Sequence, residues 1–148
     1  MTAKTNTDTL MKRLQKAADL DSYLKENESC LLPPDFCVLL KTYCKQRKLL
    51  RTEVIAQAQI DRIYGHQLFN GTRRPSRDKT IQLAIGLSLT VEETQELLCS
   101  AGKNPLDPRQ KRDAVILYGL QRGLPLLTVQ DHLMHYGLPL LGEKSNQK

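Results

Sequence analysis

Apolar side chains recur at helical spacing along most of the chain. Leu10, Leu14 and Ala17 lie at i, i+4 and i+7, and Phe36 and Leu40 begin a second series of the same kind. Such spacing places side chains on one face of an α-helix, so both series predict amphipathic helices. The predicted segments are residues 8–27 (one broken or two short helices), 35–48, 51–58 and 61–70, helices that begin at Ser76 and Thr90, a helix over 108–122, and a last one capped by Thr128.

Capping residues mark where several of these helices begin. Asp61 and Ser76 each precede a helical series, as N-cap residues do. Thr90 followed by Glu93 forms a capping box, in which each side chain bonds the other residue's backbone N–H. This is the strongest local signal in the sequence.

The two last helices are assigned on similar signals. Asp107-Pro108 pairs an N-cap with a proline at the first helical position, and Thr128 is expected to cap the final helix. By their spacing, Tyr118 is expected on the buried side of the first, and His132 and Tyr136 on the apolar face of the second.

The composition is that of a packed helical protein. Of the 148 residues, 40% are hydrophobic and 26% are charged, which is typical of a globular chain. Leucine outnumbers valine and isoleucine together, which favours helices over sheets. No apolar run approaches the ~20 residues of a membrane span, and the amino end lacks the hydrophobic stretch of a signal peptide. The sequence therefore predicts an all-α, cytoplasmic protein with no membrane partner.

The net charge of +6 is concentrated in one part of the chain. Residues 41–79 contain ten basic and three acidic side chains, a net charge of +7, whereas the rest of the chain carries −1. A confined basic segment is typical of a surface that binds a polyanion, and a solvated basic surface is the alternative. The ten basic residues are Lys41, Lys45, Arg47, Lys48, Arg51, Arg62, Arg73, Arg74, Arg77 and Lys79.

Residues with catalytic or metal-binding chemistry lack the partners that such sites need. The four cysteines include no Cys-x-x-Cys pair, and Cys37 and Cys44 are expected to be small apolar residues on one helix face. His132 and His135 have a metal-compatible spacing without a third ligand nearby. Ser76 lies at a helix start, where capping accounts for it. The sequence therefore predicts no enzyme activity, no metal and no cofactor.

Two short helices, a tight turn, a glycine, a basic loop and another capped helix follow one another from residue 51. This is the order of a helix-turn-helix motif. Residues 34–102 resemble the lambda-repressor-like, or XRE-type (Cro/repressor), family, most densely through QLFNGTRRPSRDKTIQLAIGLSLTVEET at 67–94. The whole chain also looks like a group of bacterial XRE-type regulators, through PSRDK (75–79), LLCSAGKNPLDP (97–108) and KRDAVI (111–116).

The resemblance implies a lambda-repressor-like helix-turn-helix bundle with extra N-terminal and C-terminal helices. It divides the chain into an N-terminal helical extension at 1–33, a DNA-binding domain at 34–102, a C-terminal helical extension packed on it at 103–141, and a flexible tail at 142–148.

The motif departs from the family pattern at three positions. Gln59 stands where the family usually has the turn glycine, Gly65 where an apolar residue is usual, and Phe69 where Glu is frequent. A glycine inside a helix costs roughly 1 kcal/mol relative to alanine. Gly65 is therefore expected to have a packing reason, with Tyr64 or Phe69 filling the space of a larger residue.

Site residues follow from the resemblance. The first turns of the second helix are expected to read base edges, with Gln67 suited to adenine and Arg62 to guanine. The expected base-reading residues are Arg62, Ile63, His66 and Gln67. The expected phosphate-contacting residues are Arg51, Thr52, Asn70, Thr72, Arg73 and Arg74. Bland roles are the alternatives: solvent exposure for His66, helix capping for Asn70, and pairing with Asp78 or solvent for Arg77 and Lys79.

These observations predict a sequence-specific DNA-binding transcriptional regulator of bacterial XRE type. Its recognition helix, at about 61–70, would enter the major groove of double-stranded DNA. A homodimer on a two-fold site is usual for this type, and segments 8–27 and 107–141 are the candidate dimer or partner surfaces. The alternative is a protein-interaction or signalling adaptor that keeps the fold without reading DNA and binds its protein partner through 107–141.

Overall fold

The secondary structure is α-helical throughout the residues that the computed structural model describes, 7–26 and 35–142, and neither range contains a strand. The predicted all-α class is therefore confirmed. The helices are α1 (Thr7–Lys16), α2 (Leu20–Glu26), α3 (Phe36–Gln46), α4 (Arg51–Gln57), α5 (Arg62–Asn70), α6 (Arg77–Gly86), α7 (Val91–Ser100), α8 (Lys111–Gln121) and α9 (Leu126–His135). None of these helices is long and apolar enough to span a bilayer.

The chain divides into two compact units, Met1–Pro33 and Pro34–Lys148. In the first unit α1 and α2 pack on each other, so segment 8–27 forms two short helices rather than one broken one. Cys30, the Pro33-Pro34 break and the predicted tail from residue 143 onward lie outside the described residues.

In the second unit α6 is the central helix, because it is buried on every side. All residues from Thr80 to Leu87 are buried. Leu83 and Ala84 belong to a core shared with α3, α4, α5 and α7, whereas Ile81 and Ile85 belong to a second core shared with α8 and α9. A helix that is buried all round has packing partners on all sides. α6 therefore connects the α4–α5 hairpin (Arg51–Asn70) to the α8–α9 hairpin (Lys111–His135).

Two caps that were predicted from local sequence form as expected. Ser76 Oγ accepts a hydrogen bond from the Lys79 N–H at 3.1 Å and begins α6. Thr90 Oγ1 accepts from the Glu93 N–H at 3.1 Å, and the Glu93 carboxylate accepts from the Thr90 N–H at 3.0 Å. The predicted capping box at the start of α7 is therefore confirmed.

The predicted start of α8 is wrong by three residues. Instead of capping a helix at residue 108, the Asp107 carboxylate accepts hydrogen bonds from the Arg109 side chain and from its backbone N–H, the latter at 2.9 Å. The side-chain hydrogen bonds, followed by the backbone one, hold the pKa of Asp107 below its usual value. They form a turn ahead of the helix, and α8 begins at Lys111. Tyr118, expected on the buried side, is 46% exposed.

The predicted start of α9 is also wrong. Pro125 occupies the N-cap position and α9 begins at Leu126, so Thr128 lies within the first turn. The Thr128 N–H donates to the Pro125 carbonyl at 3.1 Å, as a residue inside that turn does. Tyr136, expected on the apolar face, is exposed, whereas His132 is partly buried.

Two ion pairs cross between the amino ends of α6 and α8. Arg77 donates two hydrogen bonds to the buried Asp113 carboxylate, at 3.2 and 2.8 Å. Arg112 in turn donates two to the Asp78 carboxylate, at 3.1 and 3.0 Å. The alternative in which Arg77 pairs with Asp78 is therefore wrong, and the two arginines instead fix α8 against α6.

Candidate nucleic-acid interface

The α4–α5 hairpin is shaped by three backbone features. Gln59, in the turn between the helices, has a φ of +56°, so this residue adopts the left-handed conformation that a turn glycine would supply. Asp61 begins α5, because its carboxylate accepts a hydrogen bond from the Tyr64 N–H at 3.1 Å. Gly71 ends α5 with a φ of +80°. The turn therefore survives without its glycine, and the predicted Asp61 cap is confirmed.

Gly65 has a packing reason, but it is not the predicted one. A Cβ built on Gly65 would lie 2.7 Å from both Cγ1 and Cγ2 of Ile55, so the Ile55 side chain of α4 occupies the space. Tyr64 or Phe69 was expected to fill it. The glycine lets α4 and α5 approach closely, with Ile55 buried between them.

The four base-reading candidates share one side of α5. Residues 62, 63, 66 and 67 follow the i, i+1, i+4, i+5 spacing of one helical face, whereas Leu68 and Phe69 on the other side are buried. Arg62 and Ile63 are exposed, and His66 and Gln67 are partly exposed. At 71%, Ile63 is the most exposed large apolar side chain in the described residues. The face is accessible, and it combines a guanidinium, an amide, an imidazole and an aliphatic group.

The phosphate candidates lie at the start of α4, at the end of α5 and in the loop that follows. Arg51, at the start of α4, donates from Nη1 to Asn70 Oδ1 at 2.9 Å, so the structure brings together the beginning of α4 and the end of α5. The Arg51 guanidinium also lies 5.0 Å from the Phe69 ring centroid. Phe69 thus supports a cation at the position where Glu is frequent in the family. Thr52, Asn70, Thr72, Arg73 and Arg74 are exposed, and Arg51 is partly exposed.

Tyr64 and Lys79 belong to the same surface; Lys79 was counted in the basic segment, whereas the role of Tyr64 was missed from sequence. The Arg73 guanidinium lies 5.3 Å from the Tyr64 ring centroid, and Lys79 Nζ lies 6.0 Å from it. Tyr64 therefore holds a cation of the basic loop, Gly71–Pro75, and a cation of α6 beside the same ring. An aromatic residue at the start of a helix that ends in a basic loop was the available signal.

Part of the basic segment serves the fold instead of the surface. The Arg47 guanidinium is bonded to the Glu93 carboxylate, which links the end of α3 to α7. Arg77 is bound to Asp113, as described above. The exposed cations of the segment are therefore fewer than its composition suggests, and they include Lys41, Lys45, Lys48, Arg62, Arg73 and Arg74.

Other chemistry is sparse in the part of the chain that the structure describes. It contains no group of three or more histidine, cysteine, aspartate or glutamate side chains that could hold a metal ion. Burial raises the pKa of the Cys44 thiol, whose Sγ donates to the Leu49 carbonyl at 3.0 Å, so this cysteine has the features of a structural residue. His132 lies 6.0 Å from the Tyr118 ring, edge to face.

Comparison with known proteins supplies no relative from which a function could be carried over. No protein-family model, curated protein or solved structure matches the chain.

Proposed function

We propose that the protein is a transcriptional regulator of XRE type that binds double-stranded DNA through the α4–α5 hairpin and reads its sequence with α5. In a helix-turn-helix, the first helix crosses the phosphate backbone and the second enters the major groove with its first turns toward the base edges. The observation that carries the proposal is the one-sided accessibility of α5: Arg62, Ile63, His66 and Gln67 are open to solvent while the opposite side is buried.

The accessible groups match the hydrogen-bonding chemistry of a major groove. Arg62 can donate two hydrogen bonds to guanine, and Gln67 can bond adenine through its amide. Around them, Arg51, Arg73 and Arg74 provide charge for phosphate oxygens, which positions a protein without specifying sequence. Thr52, Asn70 and Thr72 add exposed polar groups at the two ends of the hairpin.

The finer fold assignment is part of the same proposal. Helices α3 to α7 would form the lambda-repressor-like domain at 34–102, and α8 and α9 the C-terminal extension at 103–141. The shared core of α3, α4, α5, α6 and α7 supports this assignment. In this account the protein works in the cytoplasm as a homodimer on a two-fold site, without a cofactor or catalytic activity.

The proposal is tested by selecting bound sequences from a random pool of duplex DNA with the full chain. We expect a defined motif to be enriched, and a double variant, Arg62→Ala with Gln67→Ala, to lose the preference for that motif. The matched control is Arg109→Ala with Arg122→Ala, which removes two exposed arginines outside the hairpin and should leave the preference intact. Selection of no motif, or equal loss in both double variants with normal folding, would refute sequence reading by α5.

A protein-binding adaptor is the second candidate, and exposed apolar side chains on α9 favour it. Leu127 and Met134 lie seven residues apart, on one helical face, and both are exposed. Recovery of one stoichiometric protein partner would favour the adaptor over the regulator if two results accompany it. Leu127→Ser and Met134→Ser should abolish binding of this partner. Arg62→Ala with Gln67→Ala should leave the same binding unchanged.

A further inference from the structure

A groove of about 460 Å³ lies between the outer faces of α8 and α9. On α8, Lys111, Val115 and Tyr118 are spaced i, i+4 and i+7, so they line one side in a row. His132 and Tyr136, spaced i and i+4 on α9, form the other side. Ala114 is small and lies within the lining of α8. None of these residues takes part in the surface assigned to DNA.

From this groove we infer a binding site for a small planar aromatic carboxylate. The inference does not depend on DNA binding, because the groove lies on helices outside the α4–α5 hairpin. Its volume falls within the range of about 300–1,000 Å³ that small-molecule sites occupy.

The walls of the groove are aromatic. Tyr118 is 46% exposed and Tyr136 is 54% exposed. The His132 ring meets the Tyr118 ring edge to face at a centroid distance of 6.0 Å. Three rings with accessible edges or faces, together with Val115 and Ala114, favour a flat apolar ligand, because aromatic groups pack best against one another in offset or edge-to-face arrangements.

Each tyrosine ring also has a cation beside it. The Arg122 guanidinium lies 3.7 Å from the Tyr118 ring centroid, and Lys111 Nζ lies 5.8 Å from the Tyr136 ring centroid. A stacked guanidinium keeps its N–H donors directed outward in its own plane, where a carboxylate can accept two of them. Lys111 provides a second donor at the amino end of α8.

The acidic groups of α8 and α9 do not neutralise these cations. The two helices carry two carboxylates, and one of them, Asp113, is buried and bound to Arg77. The exposed Asp131 is then a single negative charge compared with the two positive charges of Lys111 and Arg122. The lining of the groove is therefore mostly aromatic and aliphatic, its cations are Lys111 in the lining and Arg122 beside the Tyr118 ring, and this combination favours an anionic ligand.

The same charges argue against a second copy of the chain as the occupant. A two-fold interface brings the same patch of both copies together, so it would gather Lys111 and Arg122 of each copy, four cations in all, in one interface. The lining of six side chains is also small for a stable protein interface, which buries about 800 Å² on each partner. A small anion satisfies both the size and the charge of the groove.

The test is an NMR titration of the full chain with 2-naphthoate as the probe. We expect saturable shifts confined to the α8–α9 lining, and binding at least about tenfold weaker for 2-naphthamide, which lacks the charge, and for cyclohexanecarboxylate, which lacks the aromatic ring. Equal binding of 2-naphthoate and 2-naphthamide, shifts centred elsewhere, or no binding would overturn the inference.

Variants separate the contributions of charge and ring. Lys111→Gln should weaken 2-naphthoate about tenfold, whereas Lys45→Gln, an equal loss of charge at an exposed position on α3, should bind as the wild type does. Tyr118→Phe should retain binding and Tyr118→Leu should lose it. The chain could instead form a dimer whose population rises with protein concentration. If Tyr136→Asp converted that dimer to monomers, the groove would be assigned to a second copy, and the proposed ligand would be overturned.

Discussion

Ile55 of α4 lies directly against Gly65 of α5, so close that a Cβ at position 65 would be 2.7 Å from two carbons of the Ile55 side chain. The two atoms are Cγ1 and Cγ2, which branch from Cβ and cannot swing away as the end of a long side chain can. The approach of the two helices thus depends on the absence of a side chain at position 65.

Gly65→Ala should therefore destabilise the protein, although alanine is the better helix former. Overpacking costs about 1–3 kcal/mol, and the gain in helix propensity returns roughly 1 kcal/mol. We expect a net loss of about 1 kcal/mol in the free energy of unfolding, measured by urea denaturation. In an Ile55→Ala background the clash is absent, so Gly65→Ala should become neutral or stabilising. If the effects of the two substitutions on the free energy of unfolding were strictly additive, the contact between Ile55 and Gly65 would be contradicted.

Arg77→Ala should lower stability rather than act through a ligand. Its partner Asp113 is buried, and removing one member of such a pair leaves a charge without its counterion. Because Arg77 is partly exposed, we expect a loss of about 2–3 kcal/mol. Arg109→Ala, which breaks the solvent-exposed pair with Asp107, should leave the free energy of unfolding nearly unchanged. Equal effects of the two variants would count against the structural role of Arg77.

Ile63 should contact thymine if α5 reads DNA. An aliphatic side chain in the major groove can pack against the C5-methyl group, the one apolar feature of a base edge there. Replacing each thymine of the selected site with deoxyuridine should weaken binding about tenfold at one position. In an Ile63→Ala variant that position should tolerate deoxyuridine with no further loss. An undiminished deoxyuridine effect in the variant would remove Ile63 from the contact.

Tyr43→Phe should change how stability depends on alkaline pH. Burial, reinforced by the hydrogen bond that the Tyr43 hydroxyl donates to the Glu96 carboxylate, raises the pKa of Tyr43 above its ordinary value of 10.0. Above about pH 10 the unfolded chain therefore loses this proton before the folded protein does, and stability falls as pH rises.

Denaturation of the wild type and Tyr43→Phe across this range measures the effect. Near neutral pH the variant should be less stable by about 1 kcal/mol, because the hydrogen bond is lost. The difference should shrink as the pH rises above about 10. A difference that stays constant to about pH 11 would show that the phenol of Tyr43 has an ordinary pKa.

Features that depend on neighbouring residues in the chain were predictable from sequence. The caps at Asp61, Ser76 and Thr90 form as expected, because each involves a hydrogen bond to a residue three positions away. The wrong starts of α8 and α9 have local causes too, but in both cases a second polar or proline residue competes for the same turn. Asp107 bonds Arg109 instead of capping a helix at residue 108. Pro125 takes the N-cap position of α9, three residues before Thr128.

Features that depend on distant residues could not be read from the chain. Arg77 pairs with Asp113, 36 residues further along the chain, across the amino ends of α6 and α8. Ile55 and Gly65 meet only because the turn at Gln59 brings α4 and α5 together. At the candidate interface, the resemblance indicated which residues of α5 lie on the accessible side, whereas the cation pairs around Tyr64 and Phe69 required the packed structure.

The most direct test of the central claim is a titration of random-sequence duplex DNA with the full chain across a range of salt concentrations. We predict binding at low salt, with log K falling linearly in log salt as counterions are released, and a slope that becomes shallower by about 2 in an Arg73→Ala, Arg74→Ala double variant. The Arg109→Ala, Arg122→Ala control should keep the wild-type slope. Absence of binding to duplex DNA at low salt would contradict the account.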